Sequence, residues 1–209
     1  MKGRRKTGAV LCSILSLIML LTAGCSSVKV PDTLSESALS IAVNGEVTVY
    51  LVEAFDKAYY DLAELEQMVR AELAEFNGSR KTDQGDVVRL VSLAMLADGS
   101  QKVGLKLWFQ NADIYQSYTG RTLFYGTVAQ AHAAGCDLAV ELTSVKDGSR
   151  IGEMEIYENG TRKLLIAQER VRIYGPGKPV YVNAEATVNE DGSVELTTDT
   201  EENIYIIMK

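Results

Sequence analysis

Of the six Asx-Gly dipeptides in this chain, five stand outside the helical patterns: Asn44-Gly45, Asp98-Gly99, Asp147-Gly148, Asn159-Gly160 and Asp191-Gly192. Each lies between runs of β-type residues, and such dipeptides favour the tight turns that join antiparallel strands. Leu39, Ile41 and Val43 alternate before the first, and Val47, Val49 and Leu51 alternate after it. Val87 to Leu96 and Lys102 to Phe109 flank the second. In the latter run Val103, Leu105, Leu107 and Phe109 share one face, leaving Trp108 on the more polar one. After Gly135 the pattern stays β-like: Leu138–Val145, Ile151–Tyr157, Leu164–Tyr174, Val180–Val188, Ser193–Thr197 and Ile204–Met208. Gly175-Pro176-Gly177-Lys178-Pro179 is the strongest break among them.

Helical patterns concentrate in the first half. Leu62, Leu65, Met68, Val69, Leu73 and Phe76 recur at helical spacing, with Asp61 as cap, Glu64 three residues on, and Asn77-Gly78 suited to a left-handed end. Glu66, Glu72 and Glu75 fall on its solvated face, and Tyr59 and Tyr60 are expected over its first turn. A short helix follows Asn111, carries Ile114, Tyr115 and Tyr118, and ends at Gly120. A second, Val128 to Ala134, opens with Thr127 and Gln130 at capping-box spacing. The expected class is α+β: largely antiparallel sheet, one amphipathic helix over about 61–76, two short helices, and a β-rich second half.

The N-terminus carries a different signal. Lys2, Arg4, Arg5 and Lys6 precede an apolar run from Ala9 to Leu21, then Ala23-Gly24. A positive flank, a short apolar core and small residues are the parts of a secretory signal peptide, and the run is short for a membrane span. Leu21-Thr22-Ala23-Gly24-Cys25 resembles the lipobox of bacterial lipoproteins, with Thr22 where that family more often has Leu. The resemblance implies cleavage before Cys25, a diacylglycerol thioether on its sulfur, and a body on the outer face of the cell membrane. The alternative is an ordinary secretory signal ending near Ala23. The implied organisation is a signal peptide over 1–24, a flexible polar tether over 25–37 and a globular body over 38–209, with a possible subdivision near 146–150. Phe55-Asp56-Lys57-Ala58-Tyr59-Tyr60-Asp61-Leu62 and Leu123-Phe124-Tyr125-Gly126-Thr127-Val128-Ala129 resemble lipoproteins of gut-type Gram-positive bacteria, a family with no established activity to carry over.

Without residues 1–24 the chain has 17 basic and 28 acidic side chains, a net charge of −11. Such a body repels nucleic acid and anionic lipid head groups at low salt. Cys12 leaves with the signal and Cys25 takes the lipid, so Cys136 has no disulfide partner and reads as a buried, inert thiol. The single histidine, His132, precludes paired-histidine zinc motifs, and no nucleophile elbow, phosphate loop or calcium loop is present. No cofactor or metal is expected. The expected function is non-enzymatic binding of a protein or cell-wall partner. A small carboxylate-dependent glycan hydrolase is the first alternative, and a solute-binding component the second. Trp108, Tyr115, Tyr118 and Tyr125 are the candidate interaction surface, because tyrosine and tryptophan serve well at interfaces.

Overall fold

The computed structural model describes residues 30–31, 34–80, 85–196 and 202–209. The signal segment, Cys25 and residues 199–201 of the acidic stretch Asp199–Glu202 lie outside the described residues, while Glu202 is exposed. Strand β1 (Ala38–Ile41) turns through Gly45, at φ +88°, into β2 (Val47–Ala54). Helix α1 (Leu62–Gly78) follows, then the hairpin of β3 (Val88–Met95) and β4 (Lys102–Phe109). Next come α2 (Ala112–Thr119), β5 (Leu123–Thr127) and α3 (Val128–Ala133). Short pieces β6 (Leu142–Ser144), β7 (Arg150–Ile151) and α4 (Glu153–Glu158) precede β8 (Lys163–Ala167) and β9 (Arg172–Tyr174). Finally β10 (Pro179–Asn183), β11 (Ala186–Val188), β12 (Val194–Leu196) and β13 (Ile204–Met208) complete an α+β fold.

The strands form two sheets. The first has the order β11-β12-β9-β1-β2-β4-β3 and the second β5-β8-β13-β10-β6-β7. All pairings are antiparallel except β1 with β9. Strands of both sheets come from both sides of residues 146–150. Side-chain parity sets the layers. Leu165, Ala167, Ile204, Ile206 and Met208 face the first sheet and join Leu39, Val49, Leu107 and Phe109 in one core. Their neighbours Leu164, Ile166, Tyr205 and Ile207 face the other way, against Val128 and Ala131 of α3 and Ile156 of α4. A strand covered on both faces reads as a continuous apolar run, which is why Leu164–Ala167 and Ile204–Met208 are buried at every position. Each such aliphatic side chain contributes about 1.5–3 kcal/mol on burial.

The capping expectations hold in α2 and α3. Asn111 Oδ1 accepts from Ile114 N–H at 2.9 Å, and Gly120 ends α2 at φ +72°. Thr127 and Gln130 exchange both bonds of the capping box. Asp61 caps α1 by accepting from the N–H groups of Ala63 and Glu64, yet that helix does not end in a left-handed residue. Gly78 stays in the helix and Ser79, at φ −100°, is the cap. Asn77 is instead turned inward, where its side chain serves the backbone of β3. Tyr59 and Tyr60 stand exposed, their rings meeting edge-on, with Tyr60 against Phe55.

Four strand expectations need correction. Ile151–Tyr157 is strand only at Ile151. Gly152 opens α4, whose Glu155 carboxylate accepts from the Gly152 N–H at 3.1 Å, and the good helix formers Glu153, Met154 and Glu155 need bury only Ile156. Leu138–Val145 keeps its in-out alternation, with Leu138 and Leu142 buried, but pairs only from Leu142. Leu164–Tyr174 is two strands, β8 in the second sheet and β9 in the first, joined by a crossing over 168–171. Val180–Val188 likewise splits into β10 and β11 on different sheets.

Candidate functional site

Where the first sheet meets α2 and the 168–171 crossing, the two sheets leave a cleft of about 830 Å³. Its floor is apolar: Leu39 and Val49 from β1 and β2, and Leu107 and Phe109 from β4. Alternation puts these residues on one face of their strands, so the hairpin patterns visible in the sequence build the floor directly. Helix α2 supplies the wall. Phe109 meets the rings of Tyr115 and Tyr118 at centroid distances of 5.3 and 5.5 Å, and Phe76 of α1 meets Tyr118 edge-on at 5.1 Å. Edge-to-face contacts of this kind hold rings in fixed orientation.

The polar centre of the cleft is Glu169. Its side chain is only 4% exposed, yet it carries a carboxylate. The Tyr115 hydroxyl donates to Oε1 and the Arg121 guanidinium donates to Oε2 at 2.7 Å. A buried carboxylate is tolerable when both oxygens are met in this way. Tyr118, nearer the mouth, donates to Glu72 Oε1 of α1 at 2.6 Å, so Glu72 is engaged rather than merely solvated. Burial first, and then the neighbouring carboxylate, pushes both phenols well above their ordinary range. Both therefore act as hydroxyl donors at physiological pH. Arg121, Arg170, Glu53 and Glu202 also line the cleft and give its rim mixed charge.

Compared with protein-family models, with curated proteins and with solved structures, the chain matches none. The site is accordingly read from its own geometry.

Of the residues singled out in the sequence, Tyr115 and Tyr118 come together in the cleft. Tyr125 does not join them. It lies on β5 with Lys163 Nζ 5.2 Å above its ring, packed against the inter-sheet core, and burial raises its phenol. Trp108 lies apart again, half-buried on the outer face of the first sheet beneath the Arg89 guanidinium at 3.8 Å. Cys25 lies outside the described residues. His132 is exposed and leans on Tyr157 with ring centroids 4.9 Å apart. Cys136 is half-buried, and burial raises its thiol. Among the described residues no group of three or more His, Cys, Asp or Glu converges, and no helix is long and apolar enough to cross a membrane.

Glu169 and Arg121 were not legible as site residues. One signal existed: Gln168-Glu169-Arg170 interrupts an otherwise apolar run from Leu164 to Tyr174. A polar triplet inside such a run marks a place where the chain leaves one sheet before entering the other.

Proposed function

We propose that this chain is an extracytoplasmic lipoprotein, anchored through a diacylglycerol on Cys25, whose body binds a protein or cell-envelope partner in the cleft without turning it over. The observation that carries the reading is the cleft itself. An apolar floor, rigid aromatic walls and a few convergent polar groups are the usual composition of a binding site, and about 830 Å³ is within the size range of such sites. Glu169 supports binding over catalysis, because both its oxygens are committed to Tyr115 and Arg121 and it anchors rather than shuttles a proton.

A photo-reactive residue placed at Leu51 or Tyr118 in intact cells tests this. Both positions should capture the same species, and the same probe at Met154, exposed on α4 and remote from the cleft, should not. Adducts no different from those at Met154 would refute the reading. The anchor is tested separately, since Cys25→Ala should release the body from the membrane fraction. A carboxylate-dependent glycan hydrolase is the second reading, favoured by Glu53 and Glu202 lining the same cleft as Glu169. It requires turnover of envelope glycan that is lost in Glu53→Gln or Glu202→Gln.

A further inference from the structure

The four strands β1, β2, β4 and β3 hold four charged side chains: Arg89, Lys102, Lys106 and Glu53. Register sorts them by sign. Thr48 lies opposite Trp108, which lies opposite Arg89; Tyr50 lies opposite Lys106, and Ala54 opposite Lys102. All these residues project away from the second sheet. Glu53 lies opposite Val103 and projects to the cleft side. The outer face thus carries three cations and no acid within these strands, on a chain whose processed form has a net charge of −11. Two of the cations sit over aromatic rings, Arg89 over Trp108 and Lys106 over Tyr50 at 4.8 Å. Among the described residues, acids border these strands: Asp98 at one end, Glu46 at the other, and Glu36 and Glu195 beside Arg172 on the β9 flank.

The N-terminal segment lies against this same face. Ser37, itself on the cleft side, ties the end of the segment to the sheet, its Oγ accepting from the Val52 N–H at 2.9 Å. Leu34 and Ser35 border a groove with Tyr50, Gly104 and Lys106, and Val30 borders a hollow with Ser40 and Thr48. Val30 lies five positions after Cys25, and five residue steps span at most about 18 Å at full extension. A lipid on Cys25 therefore holds this face, and not the acidic remainder, close to the bilayer.

We infer that the outer face of β1, β2, β4 and β3 seats on anionic phospholipid head groups of the membrane that holds the anchor, an inference resting on the lipoprotein reading above. Lysine and arginine near a charged leaflet are attracted over roughly a Debye length, about 8 Å at physiological salt, beyond which the acidic remainder is screened. Tryptophan and tyrosine favour the head-group level, where one side of the ring is apolar and the other wet. Net charge alone implies repulsion from such a surface; the segregation of sign by strand face reverses that locally. Seated this way, the cleft on the opposite face of the sheet opens away from the lipid.

Trp108 is the only tryptophan in the chain, so its emission reports on this face. The full-length processed protein is placed in phosphatidylcholine vesicles, with or without phosphatidylglycerol, each carrying a head-group nitroxide quencher. Quenching of Trp108 should be at least about twofold stronger with phosphatidylglycerol and fall to the neutral-vesicle level at high salt. Arg89→Gln combined with Lys106→Gln should abolish the difference while leaving the unfolding temperature unchanged. Equal quenching in both vesicle types at low salt, with Cys25 shown by mass to carry its lipid, overturns the docking face and leaves the anchor standing. Should that mass show no lipid, the same chain is mixed with the same vesicles. Sedimentation with the phosphatidylglycerol vesicles alone then supports the face, and its absence overturns it.

Discussion

Asn77 and Gly78 are neighbours at the end of α1, and replacing each by alanine should move stability in opposite directions. Asn77 is 3% exposed, and its side chain makes three hydrogen bonds to the start of β3. Nδ2 donates to Val88 O at 2.8 Å, and Oδ1 accepts from the N–H groups of Val87 and Val88 at 3.0 and 3.1 Å. Val87 and Val88 are themselves buried, so water cannot easily replace the amide. Each buried backbone group left unmet costs about 1–3 kcal/mol, and partial relaxation places Asn77→Ala at about 3–5 kcal/mol overall. For a chain of this length that is a fall of roughly 10–15 °C in Tm. Gly78 is helical with open space where a Cβ would sit. Gly78→Ala should therefore stabilise by about 0.5–1 kcal/mol. Asn77→Asp adds a pH signature. The new carboxyl must be protonated to donate to Val88 O, so its folded pKa is raised above the unfolded value, near 3.9. Its stabilising contribution is then present in full below the unfolded value and lost as pH rises through the folded one. Urea unfolding of the three variants at pH 4 and pH 7 provides the measurement. A loss below about 1 kcal/mol for Asn77→Ala would refute the reasoning, since the price of orphaned backbone groups is its whole content.

Tyr115→Phe removes one of the two donors to Glu169 while Arg121 stays, and should cost about 1–2 kcal/mol in urea unfolding. A double-mutant cycle with Arg121→Gln should show non-additive losses, because the second change leaves the buried carboxylate without either partner seen here. Tyr115 and Tyr118 have folded phenol pKa values raised above the unfolded value near 10. The stability they contribute is full below that value and lost as pH rises through the folded one, so in an ultraviolet titration both should ionise only as the chain unfolds. Gly177→Ala would put a Cβ 2.6 Å from the Lys209 carbonyl oxygen, a backbone atom. It should lower stability by about 1–3 kcal/mol, read as a lower Tm.

What the sequence revealed were features decided within a few residues. The Asn44-Gly45 and Asp98-Gly99 hairpins, the Asp61 and Asn111 caps and the Thr127–Gln130 box all stand as read, because their hydrogen bonds close locally. What escaped was whatever depended on a distant partner. Asn77-Gly78 reads as a helix stop until the backbone of β3, ten residues on, is available to Asn77. Leu164–Tyr174 reads as one strand because period-two patterning carries no information on which sheet each half joins. Tyr115 and Tyr118 were visible as a pair on one short helix, whereas Glu169 reaches Tyr115 from 54 residues away and had no local signature beyond its polar neighbours. Trp108 and Tyr125 look adjacent to that pair in the sequence, but alternation along β4 and β5 turns each elsewhere.

A strand late in the sequence, β13, occupies the middle of the second sheet. Ile204–Met208 sits between β8 and β10, with β5 and β6 beyond them. A chain emerging N-terminus first can close its β1–β2 and β3–β4 hairpins early, since their partners are near in sequence. Its second sheet must wait with a vacant slot, β8 and β10 each lacking a neighbour, until residue 208 arrives. Under the proposed export, vectorial delivery across a membrane would release a half-built chain whose open strand edges are at risk of pairing wrongly. A nascent chain cut short before Ile204 would lose the strand that joins the sheet's two halves.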